Sequence, residues 1–298
     1  MEKKKFILFI LMIKKMNIFV LLLTNYNFNM FMNLRDWINI DKINFSLLCL
    51  NENAIELLEA NPDKINWKYF SYNENAIKLL KENPDKINWE YLSYTINAIE
   101  LVKDYPDKIN WSHLSYNENA IKLLKANPDK INWSNLSYNK NAIDLLKANP
   151  DKIDWQHLSD NENAIKLLQE NPDKINWSNL SYNKNAINLL NANSDKIDWK
   201  HLSRNPNAIQ LLQKNPDKID WKHLSRNPNA IQLLSNNPDK INWISLSTNP
   251  AIFTYDYKKI KDNFTKLGEE ILAKALHPDR LFKLMKKYNK NEVYNTYF

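Results

Sequence analysis

Four of the five histidines recur in one register, two residues after a tryptophan. They are His113, His157, His201 and His223. Imidazole is the commonest metal ligand in proteins, so a row of histidines could form a metal site. Packed helices, however, lie roughly 9–10 Å apart, which would separate even His201 and His223 too far for one ion. The spacing therefore predicts exposed polar side chains on a short helix, with no metal site and no catalytic constellation.

Two columns of positions vary between copies of a repeated block, and such positions are candidates for binding a partner. One column lies two residues after the tryptophan. The other follows the serine of the block and changes from Tyr in early copies to Arg in later ones. Tyr and Arg are enriched at the cores of protein interfaces. We therefore predict a protein-binding surface formed by Tyr72, Tyr94, Tyr116, Tyr138, Tyr182, Arg204, Arg226, His113, His157, His201 and His223.

The repeated block is 22 residues long, and its cleanest copy covers residues 117–138. Nine tryptophans, from Trp67 to Trp243, follow one another at this interval. A unit this short cannot bury its apolar side chains alone. Stacking of neighbouring copies would bury them, which is the principle of a solenoid.

Each block contains the signals of two short helices. Ile121 and Leu124 belong to an apolar face with helical spacing, and Asn117 before them is a favoured N-cap residue. In later copies Pro206 occupies the first helical position, where a missing N–H costs nothing. Asn132 can cap a second, very short helix. Each copy is therefore predicted to form a helix, a tight turn, a very short helix and another turn.

The predicted fold class is all-α: a right-handed-type α-solenoid of short helix pairs, with nine 22-residue repeats and C-terminal capping helices. Steps of 9–10 Å predict an elongated array about 80–90 Å long. A leucine-rich-repeat-like horseshoe is the alternative, because Ile131-x-Trp133-x-x-Leu136 superficially resembles its strand motif. Against it, the Ala-Ile-x-Leu-Leu run has helical spacing and the candidate strand lacks β-branched alternation.

The chain divides into three predicted regions: a hydrophobic and basic extension over 1–32, the repeat array over 33–254 and a helical cap over 255–298. The extension has two apolar runs separated by lysines. It could be a dispensable extension, a membrane anchor through residues 6–23, a signal peptide or a capping helix. Met30 and Met32 directly precede the first repeat-like residues, so translation could also start there.

Composition excludes several functions. The single glycine, Gly268, is too few for a phosphate-binding loop or a dinucleotide-binding turn. The single cysteine, Cys49, excludes an internal disulfide and a Cys-rich zinc site. The net charge of +7 resides in the terminal segments, which leaves the repeat array near neutral. We therefore expect no cofactor and no nucleic-acid partner.

The framework Asn-Pro-Asn-Ala-Ile-x-Leu-Leu-x-x-Asn-Pro-Asp-Lys-Ile-Asp-Trp-x-x-Leu-Ser, as it stands in 205–225, resembles the repeat proteins of nucleocytoplasmic large DNA viruses. So do the Leu-Arg-Asp-Trp sequence at 34–37 and the Ala-Leu-His-Pro-Asp-Arg-Leu sequence at 275–281. The resemblance implies a giant-virus or virus-derived gene, in agreement with a composition rich in Asn, Lys and Ile. It implies an origin more than an activity.

The repeats and their free columns together predict a non-enzymatic scaffold for protein–protein interaction, with a host or viral protein as partner. We expect a monomer rather than an oligomer. The alternative is a membrane-tethered repeat protein anchored by residues 6–23. The corresponding location is the host-cell cytoplasm or the virion, or a membrane if the N-terminal segment is functional.

Overall fold

The computed structural model describes residues 32–259 and residue 262. The proposed membrane anchor at 6–23 and nearly all of the predicted C-terminal cap lie outside the described residues. Leu34–Phe253 forms one compact unit, and it contains the repeats. Within the described part of the chain, no helix is long and apolar enough to span a membrane.

Each repeat contains three short elements, which we call the Ile helix, the Pro turn and the Trp helix. The Ile helices are Ile55–Glu59, Ile77–Glu82, Ile99–Lys103, Ile121–Lys125, Ile143–Lys147, Ile165–Gln169, Ile187–Asn191, Ile209–Lys214 and Ile231–Ser235. The Pro turns are 3-10 helices: Ile40–Lys42, Pro62–Lys64, Pro84–Lys86, Pro106–Lys108, Pro128–Lys130, Pro150–Lys152, Pro172–Lys174, Ser194–Lys196, Pro216–Lys218 and Pro238–Lys240. The Trp helices are Phe45–Leu48, Trp67–Phe70, Trp89–Tyr94, Trp111–Leu114, Trp133–Tyr138, Trp155–Leu158, Trp177–Tyr182, Trp199–Leu202, Trp221–Leu224 and Trp243–Leu246.

Further 3-10 turns precede most of the Ile helices, at Glu52–Ala54, Ile96–Ala98, Glu118–Ala120, Lys140–Ala142, Pro206–Ala208 and Pro228–Ala230. Another, Pro250–Ile252, follows the last Trp helix. This regular array of short helices confirms the predicted all-α solenoid. The leucine-rich-repeat alternative is wrong, because none of the described repeats contains a strand.

Asparagine side chains begin and end the helices. Asn117 accepts a hydrogen bond from the N–H of Asn119, and Asn132 accepts one from Asn135, so both predicted N-caps are confirmed. At the other end of the Ile helix, the amide of Asn127 donates to the Leu123 carbonyl at 2.9 Å. Asparagine can end a helix in the left-handed conformation, but Asn127 does not adopt it, since its φ is −135°. The side chain satisfies a terminal carbonyl instead, so the helix ends without glycine.

Buried serines connect each repeat to the next. Ser71 is fully buried, and its hydroxyl donates to the Trp67 carbonyl at 2.8 Å. The same oxygen accepts the backbone N–H of Asn88, in the next repeat, at 2.9 Å. Cys49 holds this position in the first repeat, with its Sγ 3.3 Å from the Asn66 nitrogen. Burial raises the pKa of this thiol. A buried polar group that satisfies both its neighbours fixes the register between repeats.

A second buried row consists of asparagines. Asn139 donates to the carbonyls of Asn117 at 2.9 Å and Ser115 at 3.1 Å, on either side of the start of the preceding repeat. Its own side-chain oxygen caps the following turn. Thr95 interrupts the row: its hydroxyl reaches only one of the two carbonyls, that of Ser71, and it makes no cap.

The hydrophobic core consists of rows of fully buried Leu and Ala, whereas the tryptophans are only partly buried. A lysine of the following Pro turn lies over many of these rings, as Lys86 does over Trp67 at 4.7 Å from the ring centre. The lysines of many Asp-Lys pairs therefore make cation–π contacts with the preceding repeat. Lys152 does approach Asp151, at 3.9 Å, but both belong to one repeat.

The repeat array closes on itself. Asn51 donates to the carbonyls of Asn249 at 2.9 Å and Ser247 at 3.3 Å, and the N–H of Asn44 donates to the Ser247 hydroxyl at 2.9 Å. Lys42 lies over Trp243 at 5.1 Å. These are the contacts that join consecutive repeats elsewhere. The first repeat therefore occupies the place of a successor to the last, and ten Trp helices form a ring in the described residues.

The elongated array with two free ends that the sequence predicted is therefore wrong. Ten steps that complete a circle require each repeat to turn by about 36°. Repeats that are narrower on one side than the other produce such a turn.

The closing repeat is assembled from both ends of the array. The 3-10 turn Pro250–Ile252 occupies the position that precedes the Ile helix in other repeats, but the chain then continues as strand β2, Phe253–Tyr255. Strand β1, Met32–Leu34, forms a two-stranded sheet with β2. Next to it, the N–H of Arg35 donates to the Ile252 carbonyl at 2.9 Å.

Candidate functional site

The column that follows the serine lines the inside of the ring. Successive tyrosine rings lie close together: Tyr72 and Tyr94 at 5.6 Å, Tyr94 and Tyr116 at 5.3 Å, and Tyr116 and Tyr138 at 5.1 Å between centres. Burial raises the pKa of the Tyr72 phenol, and the Arg204 guanidinium, six repeats later, acts against that rise. Charges so distant in sequence can interact because both side chains point inwards.

The opening is narrow. If all ten positions were spaced as these tyrosines are, the centres of their aromatic side chains would lie about 8–9 Å from the axis of the repeat ring. A folded domain of 100 residues has a radius of gyration of about 13 Å and cannot enter such an opening. An extended segment, a single side chain or a small molecule can reach it.

The second variable column packs against the first. His113 stacks on Tyr94 at 4.1 Å between ring centres, in an almost parallel arrangement. His157 and His201 stack in the same way on Tyr138 and Tyr182, at 4.4 and 4.3 Å. The two columns therefore form one surface, which we call the inner belt. It contains all the residues of the predicted binding surface: Tyr72, Tyr94, Tyr116, Tyr138, Tyr182, Arg204, Arg226, His113, His157, His201 and His223.

The histidines are closer to one another than the sequence predicted. The ring centres of His201 and His223 lie 6.3 Å apart, although a helix-packing step of 9–10 Å was expected to separate them further. The expectation was wrong because it ignored curvature, which shortens the step on the inner side of a ring. Within the described residues, no three His, Cys, Asp or Glu side chains are grouped closely enough to hold a metal ion.

Asp160 occupies a tyrosine position of the inner belt. Burial raises the pKa of its carboxyl group to about 6, and Arg204 opposes part of that rise. The neighbouring phenols of Tyr116 and Tyr138 also have raised pKa values, mainly through burial. The belt is therefore a surface of neutral phenols, with one carboxyl that titrates under mildly acidic conditions and the basic residues Arg204 and Arg226.

A cluster of Ser134, Asp154 and His157 joins two consecutive repeats. The Ser134 hydroxyl donates to Asp154 Oδ2 at 2.5 Å and lies 2.6 Å from His157 Nδ1. That same ring nitrogen is 3.2 Å from Asp154 Oδ2. Burial acts to raise the pKa of Asp154, but hydrogen bonds from Ser134 and the His157 backbone outweigh it and lower the pKa overall. Ser178, Asp198 and His201 repeat the arrangement.

This cluster combines the residue types of a nucleophilic triad without its geometry. In a triad, one nitrogen of the histidine ring takes the proton of the hydroxyl and the other donates a hydrogen bond to the carboxylate. Here a single nitrogen, His157 Nδ1, faces both groups, and the hydroxyl points directly at the carboxylate. Asp154 also caps the Trp helix of His157. The arrangement therefore serves as a polar link between repeats.

Sequence reasoning missed this link, although a signal was present. In two pairs of neighbouring copies, a serine directly after the tryptophan is followed 23 residues later by a histidine, as in Ser134 and His157. A further serine, Ser112, is followed at the same interval by Asn135, which donates to the Ser112 carbonyl at 2.8 Å. Comparing positions across the junction, rather than within one copy, would have identified the contact.

A row of charged residues lies beside the inner belt. Lys140 pairs with Glu118 and Lys184 pairs with Glu162, each at 2.7 Å and each between adjacent repeats. Glu74 belongs to the same row. Burial raises the pKa of its carboxyl group, and the nearby Glu52 and Glu118 raise it further.

Comparisons with protein-family models, curated proteins and solved structures found no match to this chain.

Proposed function

We propose that the repeat ring is a non-enzymatic binding module that holds a segment of a protein partner at its inner belt. The observation that carries the proposal is the convergence of the variable columns: the positions that the repeat framework leaves free all lie on one inward-facing surface. Stacked tyrosines and histidines provide a large, rigid contact area at a low cost in conformational entropy. Two arginines on the same surface add donors for carboxylates or backbone carbonyls.

The width of the opening determines how the partner would bind. An extended segment or an exposed loop fits into the opening that the inner belt lines, whereas a folded domain does not. The mode is therefore capture of a linear motif, unlike the binding of a globular partner along an elongated scaffold. The resemblance to giant-virus repeat proteins makes a viral or host protein the partner class that we propose.

Partner capture with matched variants tests the proposal. Tyr72 and Tyr105 are equally exposed, at 40% and 42%, but only Tyr72 belongs to the inner belt. We would immobilise the full chain, the belt variant Tyr72→Ala with Arg204→Ala, and the control variant Tyr105→Ala with Lys122→Ala. Bound proteins would be quantified by mass spectrometry, and the fold checked by circular dichroism.

We expect at least one protein to be captured by the wild type and the control and to be reduced tenfold or more with the belt variant. Equal capture by all three chains would contradict the proposal.

A further inference from the structure

A cavity of about 70 Å³ opens on the inner belt. It is lined by Tyr72, Glu74, Tyr94, Thr95, Ile96, Tyr116 and Glu118. Three consecutive repeats contribute equivalent positions, so that the aromatic residues follow one another and the carboxylates lie beside them. A water molecule takes up roughly 30 Å³ of the liquid, so this cavity has room for about two water molecules.

The aromatic part of the cavity comes from three tyrosines in a row. Tyr94 lies in the middle, 5.6 Å from Tyr72 and 5.3 Å from Tyr116 between ring centres. The face of an aromatic ring carries negative electrostatic potential and attracts cations that approach within about 6 Å. The molecule already uses this contact elsewhere: Lys64 lies 4.3 Å from the centre of the Phe45 ring and Lys86 lies 4.7 Å from that of Trp67.

The polar part of the cavity is acidic. Glu118 is neutralised by Lys140 at 2.7 Å. Glu74 is only partly exposed, and within the described residues its carboxylate makes no hydrogen bond or ion pair. Burial raises the pKa of the Glu74 carboxyl group, Glu52 and Glu118 raise it further, and Lys140 opposes part of that rise. A cation next to Glu74 would relieve this repulsion, whereas an anion would increase it.

We propose that this cavity binds an alkylated ammonium group, which packs against the three tyrosines and is neutralised by the Glu74 carboxylate. Because the cavity opens on the inner belt, part of the methylated head would enter it and the remainder would stay in the opening. Assigning the group to a side chain of the partner segment, such as a methylated lysine, rests on the function proposed above. The cation site itself does not depend on it.

The test compares a cation with its neutral isostere. Choline and 3,3-dimethylbutan-1-ol have nearly the same shape, but only choline is charged. Both would be titrated into the full chain by calorimetry, together with a short peptide that contains one trimethyllysine. We expect choline to bind at least tenfold more tightly than the alcohol, and the peptide to bind more tightly than choline. Equal binding of choline and the alcohol, or no binding of either, would overturn the cation site.

Two substitutions locate the binding within the molecule. Glu74→Gln removes the charge and keeps the shape, and it should weaken choline binding tenfold or more. The fold should tolerate it, because the buried surroundings already disfavour the charged form of Glu74. Glu100→Gln is the control, since Glu100 is exposed and pairs with Lys103 outside the belt. Unchanged choline affinity in Glu74→Gln would contradict the assignment.

The outcomes separate this inference from the proposed function. If the belt variant loses its protein partner and choline does not bind the full chain, the proposed binding module is supported and the cation site is contradicted. Choline binding as tightly as the peptide would assign the site to a free small molecule and overturn the methylated-lysine source.

Discussion

The junction that closes the ring and the junctions between consecutive repeats use the same contacts but are held differently. Asn139 bonds to a repeat that precedes it in the chain, and Asn51 makes the equivalent bonds to the last repeat, 198 residues away. The closing junction is noncovalent, whereas the chain itself runs through the other junctions. The 22-residue framework therefore specifies the interface between repeats, whether or not the chain connects them.

The closing and continuous junctions can be compared directly through their asparagines. Asn51→Ala and Asn139→Ala each remove two donated hydrogen bonds and one helix cap. We expect each to lower the free energy of unfolding by about 2–4 kcal/mol, measured by denaturant titration. Only Asn51→Ala should also increase hydrogen exchange across the closing junction, at Asn44 and Leu48. A much smaller cost for Asn51→Ala would mean that the closing contacts contribute little.

The Asp160 position makes one repeat sensitive to pH. Its folded pKa of about 6 lies above the ordinary value of 3.8, so the folded state holds this proton more tightly than the unfolded chain. Stability is therefore greatest at low pH for this group and falls as the pH rises towards and through 6. Asp160→Asn should remove that decline and raise the free energy of unfolding at pH 7 by about 1–3 kcal/mol. A pH profile of unfolding unchanged by the substitution would contradict this account.

Thr95 provides a natural defect in the asparagine row. Thr95→Asn restores the cap on the following turn and a second bond to the preceding repeat, as at Asn139. We expect a gain of about 1 kcal/mol in the free energy of unfolding. Asn139→Thr is the matched reverse change and should cost a similar amount. If both substitutions were destabilising, the two positions would not be equivalent.

Cys49 provides the corresponding defect in the serine row. The Cys49 Sγ lies 3.3 Å from the Asn66 nitrogen, whereas the Ser71 hydroxyl lies 2.9 Å from Asn88. Cys49→Ser should therefore be tolerated, with a change in the free energy of unfolding of less than about 1 kcal/mol. Ser71→Cys should show a similarly small effect of opposite sign. A steep fall in the melting temperature of Cys49→Ser would show that the first repeat differs from the others.

The elements of one repeat could be predicted from sequence, because caps and helix stops depend on neighbouring residues. Asn117, Asn132 and Pro206 occupy the helix starts that their residue types indicate. The two variable columns could also be identified from sequence, since the framework leaves them free, and their role in binding stays a prediction. That they form one inner belt was not predicted.

Ring closure could not be predicted, because it depends on a small difference in width between the two sides of a repeat. Residue types alone do not specify an angle of about 36°, yet that angle decides between an open array and a ring. Because curvature was left out, the predicted distance between His201 and His223 was also too large. The Lys–Trp contacts were also not predicted, because they join residues of different repeats, as Lys86 and Trp67 do.

Ring closure brings the first and last repeats into contact, so the distance between the two ends of the array tests it directly. Ser46, Lys200, Lys222 and Ile244 are exposed equivalents in different repeats. Nitroxide labels at Ser46→Cys and Lys222→Cys span two steps across the closing junction. Labels at Lys200→Cys and Ile244→Cys span two continuous steps. Both pairs would be made with Cys49→Ser, which removes the native thiol.

Pulsed electron resonance should give the same distance for both pairs, about 20 Å. An open array would leave the control distance unchanged and place the Ser46 and Lys222 labels about 70–80 Å apart, which would contradict the ring.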